Sequence, residues 1–402
     1  MLRLAALLFA TLLVSGSARA ADPDPFDWPA VLAAARGQTV YWNAWGGDPV
    51  INAYIGWAAG EMAARFGVTV EHVKLADTAD AVARIVAEKA SGREDDGSVD
   101  LIWINGENFV SLKKQGLLFG PWAEALPNFA LADVTGKPVL TSDFTEPVEG
   151  YESPWGLAQL VFMHDTATVP DPPRSMAALA DWAADNPGRF AYPQPPDFLG
   201  ATFLKQALYE VAPDRAALLR PADDAAFRAA TDLLWPLLDR LRPHLWRRGE
   251  AYPPTGTALR TLLGEGEIDI AFTFNPGAAS TAIAQGELPD TVRTYVLDGG
   301  VIGNAHFVAI PFNARAKAGA MVLADFLLSP GAQARKADPR VWGDPTVLDV
   351  GALADADRTL FEALPLGVAT LSPEDLGPSL PEPHASWLER LEAAWTARYA
   401  AR

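Results

Sequence analysis

Along residues 49–66 the apolar positions fall at Ile51, Tyr54, Ile55, Ala58, Ala59, Met62 and Phe66, the spacing of one helix face. Asp48-Pro49 opens this helix, with Asp as N-cap and Pro at the first helical position, and Gly67 closes it. A second helix is expected over 78–89, with Val82, Ile85 and Val86 facing inward, and a third over 109–115, stopped by Gly116. Between them lie strand candidates at 38–43, 68–73 and 100–104. The last is a short continuous apolar run, as in a parallel sheet covered on both faces. Repeated strand–loop–helix units at this spacing predict an α/β domain with right-handed crossovers.

The pattern loosens over 121–155 and resumes with a strand over 157–164 and a helix over 175–185 that has Ser175 as N-cap. A strand over 189–192, a rigid Pro-rich loop over 193–200 and a helix over 201–211 follow. Residues 223–246 read as helical with an interruption at Pro236. Ile268, Ile270, Phe272 and Phe274 alternate like a strand with one packed face. A helix over 278–284, a strand over 305–311, a helix over 315–328 and a mostly helical tail complete the chain.

The chain has 402 residues, half of them hydrophobic, which suffices for two domain cores. The net charge of -18 lacks the basic stripe that nucleic acid needs, and it disfavours anionic lipid surfaces. The absence of cysteine removes disulfides, thiolate nucleophiles, Cys-based zinc sites, Fe–S clusters and a lipidated anchor. Arg3, the apolar run over 4–14 and the small-residue frame Ala18-Arg19-Ala20 have the three-part form of a cleavable export signal. No later segment is long and apolar enough to span a bilayer. A periplasmic protein of a diderm bacterium, beginning at Ala21 and without a lipid anchor, is expected.

Ligands of open α/β sheets bind beyond the carboxyl ends of strands. Five such loops combine Gly with an amide or aromatic residue: 42–47, 105–108, 193–200, 275–277 and 303–304. Gly lets backbone approach a ligand and Asn both donates and accepts, although the same residues also build ordinary turns. No Gly-x-Gly-x-x-Gly follows a strand, no Gly-Lys-Ser/Thr loop exists, and neither a Gly-x-Ser-x-Gly elbow nor a His-Glu-x-x-His spacing is present. No cofactor and no metal is expected. Glu107 reads as a general acid, a ligand acceptor or a plain surface carboxylate.

The stretch Asp100-Leu-Ile-Trp-Ile-Asn-Gly-Glu-Asn-Phe109, with Gly116-Leu-Leu118 after it, resembles the extracellular solute-binding proteins of ABC importers, family 1, the maltose/iron-type cluster. Gly264-Glu-Gly-Glu-Ile-Asp-Ile270, Ala305-His-Phe-Val-Ala-Ile-Pro311 and Phe326-Leu-Leu-Ser-Pro330 resemble later parts of that family in the same order. Val40-Tyr-Trp-Asn-Ala-Trp-Gly-Gly-Asp-Pro49 and Val301-Ile-Gly-Asn304 are most similar to its YnjB-like group. The resemblance covers about residues 38–335. It implies a two-lobed, type II-like periplasmic-binding-protein fold with hinge crossings. Lobe 1 would span 21–157 with 305–335 returning to it, lobe 2 would span 158–304, and helices over 336–402 would pack mainly on lobe 2. It implies a monomer that captures a small solute and delivers it to an inner-membrane permease. Without an adjacent tyrosine pair, iron is disfavoured.

The candidate ligand residues are Trp42, Asn43, Trp45, Asn105, Glu107, Trp155, Gln159, Phe198, Phe274, Asn275, Asn304 and His306. Rings plus amides suit a sugar. Rings plus Glu107 suit an amine or other organic cation, which the strongly acidic chain favours slightly. A secreted enzyme, such as a carbohydrate-active hydrolase, is the alternative, and a module feeding a sensor shares the same sequence features.

Overall fold

The computed structural model describes residues 22–400, so the expected export signal lies outside the described residues. The strands are β1 (Thr39–Trp45), β2 (Thr69–Leu75), β3 (Leu101–Ile104), β4 (Ser142–Asp143), β5 (Glu146–Pro147), β6 (Glu152–Gln159), β7 (Val161–Asp165), β8 (Ile270–Thr273), β9 (Val292–Tyr295) and β10 (Gly303–Ala309). The helices are α1 (Trp28–Ala35), α2 (Pro49–Phe66), α3 (Thr78–Ala90), α4 (Glu107–Lys114), α5 (Met176–Asp185), α6 (Phe198–Val211) and α7 (Asp224–Leu241), then α8 (Gly256–Gly264), α9 (Ala278–Ala284), α10 (Lys317–Leu327), α11 (Pro330–Ala337), α12 (Asp355–Glu362), α13 (Pro373–Leu376) and α14 (Ala385–Tyr399).

The α2 helix forms as its pattern predicts. The Asp48 side chain accepts from Val50 N–H, Gly67 ends the helix at φ 66°, and Ile51, Tyr54, Ile55, Ala58 and Met62 are buried. The first sheet has the order β2-β1-β3-β10-β6. It is parallel across β2, β1 and β3, but β10 runs antiparallel to both β3 and β6, so the sheet is mixed rather than parallel throughout. The reason is connectivity: β10 re-enters from the second lobe instead of through a βα crossover.

The strand expected over 157–164 is two strands. It breaks at Leu160, with β6 in the first sheet and β7 at the centre of a second, antiparallel sheet of order β8-β7-β9. No turn residue marks this crossing, because Leu160 and the residues that follow it, Val161, Phe162 and Met163, are buried and apolar. Leu160 N–H donates to Ile302 C=O at 2.9 Å, and Leu380 N–H donates to Val301 C=O at 2.7 Å, so three chain segments run together where the sheets meet. Residues 189–192 form only an isolated bridge, Phe190 with Ile270, since Pro193 cannot extend a ladder.

Each sheet carries its own core. On the first, Leu101 faces a core with Trp42, Tyr54 and Trp155, while Ile102 and Ile104 face α3 and α4 through Ile85, Phe109 and Leu112. The second core gathers Phe162, Phe190, Phe203 and Phe272 around β7 and β8. After residue 336 the chain is divided: Trp342, Val347, Leu348 and Leu353 join the first core, and Trp387, Leu391, Trp395 and Tyr399 of α14 join the second.

Asp100 shows how one buried carboxylate joins distant segments. Its Oδ2 accepts from Tyr41 N–H at 2.9 Å, and its Oδ1 accepts from Arg315 and Ala316 N–H at 2.8 and 3.0 Å. It thereby caps α10, which has no capping side chain of its own. Asp100→Ala would leave three donors without that partner and is expected to cost about 3 kcal/mol, read as a lower urea midpoint at unchanged slope.

Asp143 and Glu152 pose the opposite problem. Both are fully buried, and Asp143 Oδ1 and both Glu152 carboxylate oxygens have no protein partner. Burial pushes both carboxyls well above the ordinary range, and the Asp143 charge adds to the rise at Glu152. A raised carboxyl contributes stability below its unfolded pKa and loses it as pH rises through the folded one. Glu152→Gln is therefore expected to gain on the wild-type protein as pH rises. Urea melts at pH 5 and pH 8 that showed equal differences would contradict this.

Candidate functional site

The lobes touch along several lines. From lobe 2, Arg260 Nη1 lies 3.3 Å from Asp48 Oδ2, Thr257 hydroxyl donates to Gly47 C=O at 3.4 Å, and Asn275 Nδ2 donates to Trp342 C=O at 3.3 Å. The α14 helix packs against both α6 and α4. The strand-end loops of the two sheets are thus opposed.

Within this setting the anticipated residues separate into groups. Trp42 and Trp155 are fully buried and pack edge to face at 5.4 Å, and Trp155 also meets Trp103, Tyr54 and Trp342. Both indoles are fully buried, Trp155 among other rings, so neither presents the open face on which a ligand was expected to stack. Asn43 is also buried, its Oδ1 accepting from Arg84 at 3.2 Å. His306 belongs to a buried charge network: its Nε2 lies 3.0 Å from Asp344, which also pairs with Lys336. Asn304 lies within β10 rather than in a loop and donates to Glu382 at 3.0 Å. Gln159 donates to Leu376 C=O at 3.2 Å, and Asn275 Oδ1 accepts from Gly277 N–H.

Trp45, Asn105, Glu107 and Phe198 keep exposed surface between the lobes. Trp45 covers Gly47, where a Cβ would come within 2.5 Å of the indole. Gly106 adopts φ 62° beneath the Phe144 ring, so α4 starts at Glu107 and projects that carboxylate from the first turn. Across from it, Phe198 begins α6. It is 42% exposed and meets Phe274 edge to face at 5.2 Å.

The structure adds charged residues that chain distance hid. Lys205, from the buried run of α6, pairs with Glu382 at 2.6 Å and sits 4.8 and 5.5 Å from the Phe144 and Phe198 rings. Four carboxylates are linked electrostatically here: Asp77 before α3 acts on Glu107 of α4, Asp197 at the N-cap of α6 and Glu392 of α14, and Lys205 acts on Glu107 and Glu392. Burial pushes Glu107 up; Glu382 and Asp77 push the same way while Lys205 pulls down. Burial also raises Asp197, helped by Asp77. Glu392 is pushed up to about 7 by burial, with Glu107 and Asp77 adding to the rise. In the structure Asp77 and Asp197 also serve as helix N-caps, and Asp197 belongs to the Pro-rich loop expected over 193–200. Lys205, a lone cation inside an apolar helix, was the visible clue.

Comparison with known proteins gives the family. The pattern of the bacterial extracellular solute-binding protein family matches residues 57–358. Protein YnjB of Escherichia coli (strain K12) is 48% identical over 373 residues, covering 93% of this chain and 94% of that protein. The chain belongs to the bacterial extracellular solute-binding family. It is an extracellular solute-binding protein, and the alternative of a secreted hydrolase finds no support among its relatives.

Solved structures show the same fold. A putative spermidine/putrescine ABC transporter protein from Listeria monocytogenes superposes with a TM-score of 0.62 at 16% identity, covering 89% of this chain and 98% of that one. The Tp0655 (TpPotD) lipoprotein of Treponema pallidum gives 0.64 at 16% identity, with the same coverage. AfuA from Actinobacillus pleuropneumoniae, with exogenous fructose-6-phosphate bound, gives 0.62 at 15% identity, covering 91% of this chain and 99% of that one. Since neighbours of one fold carry names tied to a polyamine and to a sugar phosphate, the ligand of this solute-binding protein has to be argued from its own side chains.

Proposed function

We propose that this binding protein captures a small organic cation, an amine or polyamine, between its lobes and hands it to a membrane permease. It would do so as a monomer in the periplasm, after cleavage of the export signal. The observation that carries the reading is the convergence of Asp77, Glu107, Asp197 and Glu392 from four separate segments, while Lys205 is already neutralised by Glu382. An anion would meet this negative charge with Lys205 already engaged by Glu382, and desolvation there would be costly. A cation gains from each carboxylate and from the Phe198 face.

Calorimetry with a panel of small amines and polyamines, neutral sugars and organic phosphates tests the reading. Stoichiometric binding of an amine without turnover is expected; tight binding of a phosphate or carboxylate would overturn it. A pH signature accompanies it. The Glu392 carboxyl, pushed up to about 7, holds a proton that a cation must displace, so amine affinity is expected to rise between pH 6 and pH 8, with proton release visible as buffer-dependent heat. Affinity that stays flat over that range would contradict a role for Glu392.

A further inference from the structure

The β1–α2 turn and helix α8 meet at a contact that solute capture alone does not require. Leu259 and Leu263 anchor α8 in the core of lobe 2, which leaves Thr257 and Arg260 on the side facing lobe 1. There Arg260 reaches Asp48, with only 17% and 13% of the two side chains exposed. Asp48 divides its carboxylate between two tasks. Oδ1 accepts from Val50 N–H at 2.8 Å and caps α2, while Oδ2 faces Arg260 at 3.3 Å. Arg260 is likewise divided: its Nε lies 3.3 Å from Glu287, on lobe 2 itself and 48% exposed.

We propose that Arg260 is a positioning residue for solute capture, a latch that holds the lobes closed through Asp48 and is retained by Glu287 when they part. The charge arrangement gives the latch two states of similar energy. When the lobes separate, Asp48 keeps its helix cap and gains water, and Arg260 keeps Glu287, so neither charge is left buried and alone. When they close, Arg260 adds a second carboxylate and Thr257 adds its bond to Gly47. The gain is that of a largely covered but salt-sensitive ion pair, enough to shift a closed-to-open ratio by about three-fold. Glu287 opposes closure because its negative charge offsets part of the positive charge that Asp48 meets on closing. The latch rests on the solute-binding role shared by the family and is independent of the ligand's charge.

The absence of native cysteine allows a direct test. Ala64→Cys on α2 and Ala229→Cys on α7 are exposed positions, one on each lobe, for paired spin labels. Electron–electron distance distributions are then recorded on the solute-free chain. Arg260→Ala is expected to move the ratio about three-fold toward longer distances, and about 1 M salt should do the same to the otherwise unaltered labelled chain. Asp48→Asn should match Arg260→Ala while the helix stays capped, because Asn is as good an N-cap as Asp. Glu287→Gln should move the ratio the other way, a sign that loss of packing alone would not produce. Unchanged distances in both Arg260→Ala and Asp48→Asn, or opening in Glu287→Gln, would overturn the latch.

Discussion

Lys336→Met is expected to lower the stability of the folded chain by about 3–5 kcal/mol at neutral pH. Lys336 and Asp344 have no exposed side-chain surface, and the ammonium also donates to Pro345 C=O at 3.0 Å. His306, stacked on Trp342, supplies the second partner of Asp344. Burial pushes Asp344 up, but Lys336 and His306 outweigh it and hold the carboxyl below its ordinary range; burial in turn pushes Lys336 down against the pull of Asp344. Removing the lysine leaves a fully buried carboxylate with only the His306 imidazole to answer it. A depressed carboxyl contributes stability above its unfolded pKa and loses it in acid. The wild-type protein should therefore weaken toward pH 4 more than the variant, and the two urea curves should approach each other there. Lys336→Met combined with Asp344→Leu should recover most of the loss, because an apolar pair of similar volume can replace a buried ion pair. A single variant as stable as the wild-type protein at pH 7 would refute this account of the network.

Glu107→Gln is expected to weaken binding of an organic cation by about 10–100-fold, the usual range for losing one charged partner in a covered site. The substitution keeps the size of the side chain, and a neutral amide can still take part in hydrogen bonds, so a sugar ligand should lose only a few-fold. Glu392→Gln should act in the same direction from the opposite wall, since Glu392 reaches the site from α14 and not from either sheet. Calorimetry on the two variants with the best amine of the panel reads both effects. If neither variant weakens amine binding beyond a few-fold, the carboxylate cluster does not recognise the ligand.

Much of the local structure was legible in the chain. Asp48, Pro49 and Gly67 bound α2 as their chemistry demands, whereas the helix expected from 109 begins at Glu107, because Gly106 takes the positive φ that lets it start there. What stayed hidden was through-space. A tryptophan on a strand reads alike whether it faces a ligand or a core; for Trp155 the packing of Tyr54, Trp103 and Trp342 around it decides, and for Trp42 its complete burial against Trp155. The Leu160 crossing carries no turn signal, because both sheets bury their side of it. Asp77, Asp197 and Glu392 lie far apart in the chain, and two of them have a sufficient local role as helix caps. Only the closing of the lobes makes them one site.

Native mass spectrometry of the protein purified gently from cells that export it tests the central claim most directly, since the bound solute is weighed while still in place. The account predicts one small molecule per chain, whose mass after release matches an organic amine and whose occupancy falls in the Glu107→Gln variant. A stoichiometric phosphate or carboxylate compound in that position would contradict it.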